Sequence, residues 1–143
     1  MTTRPRYVLL DTHIWLWASL GIHGKISAVT QKALEDAAMT GGLLVSIISV
    51  WEIALLVSRG KVALPAPLDE WTQLALSHPD LRLVGLTRPG VVLDSVNLPG
   101  EFHGDPADRF LVATARAHRA TLATYDRKII EYARGGYVEV LGA

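Results

Sequence analysis

The apolar segments Tyr7-Val8-Leu9-Leu10, Leu43-Leu44-Val45-Ser46, Leu81 to Leu86 and Thr121-Leu122-Ala123-Thr124 are short and do not alternate with polar residues in the manner of a half-exposed strand. Helical stretches separate them. Strands of this kind are buried on both faces, and the chain order then implies a mostly parallel sheet with helices on each side. Right-handed crossovers bring the carboxyl ends of all strands to one edge, where α/β folds bind their ligands.

The elements follow from local signals. A strand over 7–10 precedes a helix over 12–19 and a Gly/His/Gly break at 21–24. Ser27 caps a helix to about Met39, which Gly41-Gly42 ends. After a strand at 43–46, Ser49 reads as the cap of a helix to about Ser58, stopped by Gly60. The spacing predicts helices over 68–77 and 89–95, a strand over 81–86 and a loop over 97–104. Asp105-Pro106 opens a helix to about His118. A strand over 121–124, a short helix over 127–133 and a last strand over 137–141 complete the chain. No repeat or linker divides the 143 residues, so the expectation is a single domain over 1–143.

Four acids stand where apolar packing should be. Asp11 ends the first strand, and Asp126 follows the fourth. Glu52 lies within Val50-Trp51-Glu52-Ile53-Ala54-Leu55-Leu56, and Asp108 heads Phe110-Leu111-Val112-Ala113. A lone buried carboxylate costs several kcal/mol unless it is paired, protonated or bound to a cation. Each acid also has a local explanation. Ser49 and Glu52 match a capping box, Asp105 and Asp108 a cap and its partner three residues on, and Asp11 and Asp126 turns after strands. Taken together, two acids fall at strand ends and two in first turns of helices that face the same edge. Oxygen ligands suit Mg²⁺ or Mn²⁺, and no histidine pair at ligand spacing offers a zinc site.

Composition narrows the chemistry. The absence of cysteine removes disulfides, thiolate metal sites and thiol catalysis. The first residues, Met1 to Arg6, lack the apolar stretch of a secretory signal, and no apolar run approaches the ~20 residues of a membrane span; a cytoplasmic protein is expected. Net charge is zero, which weighs against nucleic-acid binding, although the chain without the four acids would stand at +4.

Asp11-Thr12-His13-Ile14-Trp15, Ser49-Val50-Trp51-Glu52-Ile53, His103-Gly104-Asp105-Pro106-Ala107-Asp108-Arg109 and Leu122-Ala123-Thr124-Tyr125-Asp126 resemble, in order and spacing, the successive motifs of PIN-domain proteins. The likeness covers nearly the whole chain and is greatest to VapC-type toxins of toxin–antitoxin pairs. It implies a three-layer α/β/α sandwich on a central sheet of about five strands. It also implies a Mg²⁺- or Mn²⁺-dependent endoribonuclease, a small cognate antitoxin and a homodimer. Carried over, the acidic quartet is Asp11, Glu52, Asp108 and Asp126, with Asp105 as a secondary metal ligand. Glu52 is ligand or general base. Thr12 and Thr124 stand beside the acids and could orient metal-bound water, or cap and fill strands. Arg109, Arg116, Arg119, Arg127 and Lys128 are candidates for holding RNA backbone, the last four as a basic patch flanking the cleft. The competing readings are a catalytically silent PIN-like module that binds RNA or a partner, an aspartyl-phosphate phosphatase, disfavoured by His13 two residues after Asp11, and a structural domain whose acids cap helices.

Overall fold

In a computed structural model, which describes residues 6–22 and 24–142, five strands alternate with seven helices. The expectations placed on residues 1–5 and His23 lie outside the described residues. The strands are β1 (Val8–Leu10), β2 (Leu43–Ser46), β3 (Leu81–Val84), β4 (Thr121–Ala123) and β5 (Glu139–Leu141). They form one sheet in the order β3-β2-β1-β4-β5, and every pairing is parallel. β3 stops two residues before the expected end at Leu86, and β5 starts two residues after the expected Tyr137.

The helices are α1 (Thr12–Leu20), α2 (Ala28–Met39), α3 (Ile47–Ser58), α4 (Leu68–Leu76), α5 (Pro89–Val96), α6 (Pro106–His118) and α7 (Arg127–Ala133). Neighbouring strand residues point to opposite faces. Val8, Leu10, Val45 and Ala123 therefore pack with Ile14, Trp15, Leu34, Ile53 and Trp71 of α1 to α4. Leu9, Leu44 and Leu122 pack with Val91, Leu111, Val112 and Ile129 of α5 to α7. The result is the expected α/β/α sandwich.

This topology fixes where a ligand can sit. Strand order runs outward from β1 through β2 to β3, then returns to β1's other side for β4. The crevice of such a sheet opens at the carboxyl edge between the two strands where the order reverses, here β1 and β4. Leu10 is level with Val45 on one side and Ala123 on the other. The residues that follow these three are Asp11, Ser46 and Thr124: Asp11 and Thr124 leave the sheet at that edge, and Ser46 is the last residue of β2, paired with Val84.

One cap differs from expectation. Ser46, not Ser49, caps α3: its hydroxyl accepts from the Ile48 N–H at 3.1 Å. The helix starts as soon as β2 ends, so Ser49 is already its third residue and is buried. Glu52 is consequently in the second turn rather than the first, and the capping box that would have explained it locally does not exist.

Candidate metal centre

Asp11 is the N-cap of α1 and is buried. One carboxylate oxygen, Oδ1, accepts from the Thr12 N–H at 2.6 Å, and Oδ2 accepts from the Thr124 hydroxyl, also at 2.6 Å. The Asp11 backbone N–H is held by the Ala123 carbonyl at 2.9 Å. Thr124 is fully buried, and its oxygen accepts in turn from the Asp126 N–H at 3.0 Å. One hydroxyl thus bridges the acid that follows β1 and the acid that follows β4.

Thr12 performs the same service on the other side. Its hydroxyl donates to Glu52 Oε1 at 2.5 Å and lies 2.8 Å from the Ser49 hydroxyl. With its only proton given to Glu52, Thr12 accepts from Ser49. Ser49, expected as a cap, is a buried link between α1 and α3.

Asp105 and Asp126 are N-caps, of α6 and α7. Asp105 Oδ1 accepts from the Asp108 N–H at 3.1 Å; Asp126 Oδ1 accepts from the N–H groups of Lys128 and Ile129 at 2.9 and 3.1 Å. Each cap uses one oxygen and leaves the other free, so capping and ligation are compatible at these positions. Neither Asp108 nor Glu52 caps anything.

Asp11, Glu52, Asp105, Asp108 and Asp126 line one pocket of about 380 Å³, walled also by His13, Ile14, Trp17 and Tyr125. The carboxylates act on one another. Burial pushes Asp108 up to about 7, reinforced by repulsion from Asp105, Asp11, Asp126 and Glu52. Burial also raises Asp11, against the opposing hydrogen bonds of Thr124 and Thr12. Glu52 is raised chiefly by burial, with Asp11 and Asp105 adding repulsion and the Thr12 hydrogen bond opposing it. Crowded oxygens that resist ionisation are what a divalent cation neutralises, and the donor set is the hard oxygen type that Mg²⁺ and Mn²⁺ prefer. The residues fit the cation that the family resemblance implies.

His103 stands two residues ahead of Asp105 in the loop before α6. Its Nδ1 accepts from the Asp105 N–H at 3.2 Å, which leaves the ring proton of the neutral form on Nε2. Nε2 is 3.2 Å from Asp108 Oδ2, although the two are not aligned for a hydrogen bond and Nε2 is buried without one. Ligand atoms of His103, Asp108 and Asp126 fall within 4.8 Å of one another. The only hint in the sequence was the spacing His103-Gly104-Asp105, two residues ahead of a helix cap.

The basic candidates separate. Arg109 donates to four backbone carbonyls: Nε to Ser95 at 2.7 Å, one terminal nitrogen to Phe102 and His103 at 3.0 and 3.1 Å, and the other to Val96 at 3.0 Å. Its guanidinium ties the end of α5 and the loop that follows onto α6, with every donor group facing a backbone carbonyl rather than the acid pocket. Arg116 donates to Asp94 at 3.0 Å and to the Tyr137 carbonyl at 2.7 Å. It stands eight residues past Asp108 on α6, about 12 Å along the axis, and Arg119 lies beyond the helix end. Both therefore lie toward the opposite edge of the sheet, and the single patch expected beside the cleft does not form. Arg127 and Lys128 directly follow Asp126, are exposed, and do lie beside it.

The PIN domain family matches residues 8–135. Ribonuclease VapC22 of Mycobacterium tuberculosis (strain ATCC 25618 / H37Rv) is 38% identical over 122 residues, 85% of this chain and 88% of that protein. Two solved structures share the fold. VapBC2 from Rickettsia felis bound to a DNA fragment from its promoter superposes with a TM-score of 0.65 at 20% identity, over 94% of this chain and 97% of that one. FitAcB from Neisseria gonorrhoeae gives a TM-score of 0.63 at 22% identity, over 94% and 96%. The pocket of acids at the carboxyl edge of a parallel sheet, the match over nearly the full length and the curated relative agree: this chain belongs to the PIN-domain family.

Proposed function

We propose that the chain is a VapC-type endoribonuclease toxin, a single PIN-like domain over residues 1–143 that hydrolyses RNA phosphodiesters with a divalent cation held by its acid cluster. The observation that carries this is the convergence of Asp11, Glu52, Asp105, Asp108 and Asp126 on one pocket, with Asp108 pushed up to about 7 by burial and mutual repulsion. Identity to a named VapC ribonuclease supports the substrate class.

Asp11, Asp108 and Asp126 supply the metal-facing oxygens, with Glu52 as ligand or general base and Asp105 at the rim. Mg²⁺ or Mn²⁺ held there would supply Lewis acidity towards a phosphodiester and make water a better nucleophile near neutral pH. The chain's own contribution is placement. Thr124 holds Asp11 against Asp126, Thr12 and Ser49 hold Glu52, and His103 faces Asp108. Arg127 and Lys128 offer charge to the RNA backbone. RNA cleavage with Mg²⁺ that stops in EDTA, leaving 5′-phosphate and 3′-hydroxyl ends, is the expected result. Undiminished cleavage in EDTA would overturn the metal, and no cleavage of any RNA would overturn the enzyme.

Two apolar surfaces support the proposed protein partners. A groove of about 670 Å³ is lined by Trp15, Leu20, Leu34, Trp71 and Leu74 of α1, α2 and α4, a shape suited to the apolar segment of a small antitoxin. Ile47 and Trp51 on α3, and Val92, Leu93 and Val96 on α5, are exposed and offer a self-association face for a homodimer. The proposed location is the cytoplasm; no helix among the described residues is long and apolar enough to cross a membrane.

A further inference from the structure

A second cavity, of about 570 Å³, lies beside the acid pocket and runs along α7. Its volume is within the roughly 300–1,000 Å³ of ordinary ligand sites. His103 lines this cavity with its ring and turns Nε2 towards Asp108 in the other. A continuous row of rings leads away from that junction. Phe102 is 4.3 Å from His103 between centroids, Tyr132 is 4.6 Å from Phe102, and Tyr137 stacks on Tyr132 at 5.0 Å with 27° between planes. At the acid end stand Arg127 and Lys128, both exposed and without a carboxylate partner among the described residues. Two acids also line the cavity: Glu131 is engaged by Arg134 at 2.8 Å, and Glu101 opposes the cations.

The far end of the row is built to be rigid. A side chain at Gly100 or at Gly135 would run into the Tyr137 ring, so two separate segments give way to it. The Arg116 guanidinium holds the Tyr137 carbonyl at 2.7 Å, and the Tyr132 hydroxyl donates to the Pro99 carbonyl at 2.5 Å. Tyr132 is buried, yet Tyr137 keeps 36% of its surface exposed. Tyr132 covers one face of the Tyr137 ring, and the ring as a whole stays partly open to solvent. The seven residues of α7 span about 10 Å, so the ring is beyond the reach of the nucleotide being cut but within reach of one further along the same strand.

We propose that this groove seats the single-stranded RNA that flanks the scissile phosphate, with one base stacked on Tyr137 and the backbone crossing Arg127 and Lys128. Stacking needs an unpaired base, and charge alone would not explain a fixed aromatic row leading from the acid cluster. The proposal rests on the ribonuclease reading and assigns the strand flanking the cut a base-stacking site on Tyr137.

The test uses a short unstructured oligoribonucleotide carrying a fluorescent adenine analogue, titrated with the full chain in EDTA, and the same sequence locked in a hairpin stem. Wild-type protein should quench the analogue in the open strand and bind the stem more weakly. Tyr137→Ala should lose the quenching and weaken binding about five- to a hundredfold, while Tyr137→Phe keeps both. Lys128→Ala should reduce the slope of log affinity against log salt by about one. A Tyr137→Ala protein that melts like wild type and binds the open strand equally well would overturn the stacking site. Should that variant fail to fold, unchanged affinity and salt slope in Lys128→Ala overturns the groove. Wild-type cleavage of the same probe with Mg²⁺ reports separately on the ribonuclease reading, so failure of the groove leaves that reading standing.

Discussion

The Thr124 hydroxyl donates to Asp11 Oδ2 at 2.6 Å across 113 residues of sequence and accepts from the Asp126 N–H at 3.0 Å. This single oxygen joins the two arms of the acid cluster at the point where the sheet order reverses.

Thr124→Val keeps the shape and removes the hydroxyl. A buried carboxylate oxygen and an N–H lose their partner, which costs about 1–3 kcal/mol of stability. Groups that orient ligating carboxylates are typically worth 10- to 100-fold in metal affinity or activity, so RNA cleavage should fall by roughly that factor. Thr124→Ser should restore most of both. A melting curve and an initial-rate assay decide it; a Val variant with wild-type rate would show that Asp11 is held by other means.

The stability of the metal-free protein should run opposite to that of an ordinary acidic site. Asp108 stands at about 7 in the folded chain against 3.8 in the unfolded one. Between about pH 4 and pH 7 the folded state keeps a proton that the unfolded state has released, so stability falls as pH rises through that window. The gain at the acid end is about 1–2 kcal/mol once solvent screening of a partly exposed group is allowed for. Asp11 and Glu52 are raised too and act in the same direction. Thermal melts in EDTA from pH 7 down to pH 5 should climb, apart from any global acid unfolding, and Mg²⁺ should raise the melting temperature most at pH 7. Melting curves that are flat in pH and indifferent to Mg²⁺ would mean the acids do not repel one another.

Asp11→Asn separates catalysis from folding. The amide keeps the size and removes one negative charge from a buried cluster. Cleavage should drop by at least about a hundredfold as a cation ligand is lost, while the metal-free melting temperature rises. A fall in both would indicate that the hydrogen bonds to Thr12 and Thr124 require the carboxylate itself.

Arg109 and Lys128 should behave as opposites. Arg109→Ala strips charged donors from four carbonyls and should cost about 2–4 kcal/mol of stability, which Arg109→Lys does not recover because an ammonium cannot span the four acceptors. Lys128 is exposed and makes no ion pair among the described residues. Its alanine variant should melt within about 0.5 kcal/mol of wild type and bind RNA less tightly at low salt. An Arg109→Ala protein of normal stability with weakened RNA binding would return Arg109 to the RNA-contacting set.

Much of this architecture is set by short-range chemistry and is legible in the chain itself. Non-alternating apolar runs, helix caps such as Ser27 and Asp105, and terminators such as Gly60 act within a few residues of where they stand. The alternation of strand and helix then forces a parallel sheet, and a parallel sheet delivers Asp11 and Asp126 to one edge whatever the details of packing. Which of two serines caps α3 was not decided locally. Ser46 and Ser49 both have the chemistry, and the pairing of β2 with β1 and β3 determines where the strand ends and therefore that Ser46 is used. The fates of Ser49, Arg109 and His103 depend on partners 37, 14 and 5 residues away brought close by folding. The split of the basic residues depends on the length of α6 and on which way it runs. Sequence thus determined the elements and the edge where the acids meet, because those follow from periodicity and chain direction. Only the packed structure decided which hydroxyl holds which carboxylate and which cations stay free for a substrate, because those are settled by distances between residues that nothing local correlates.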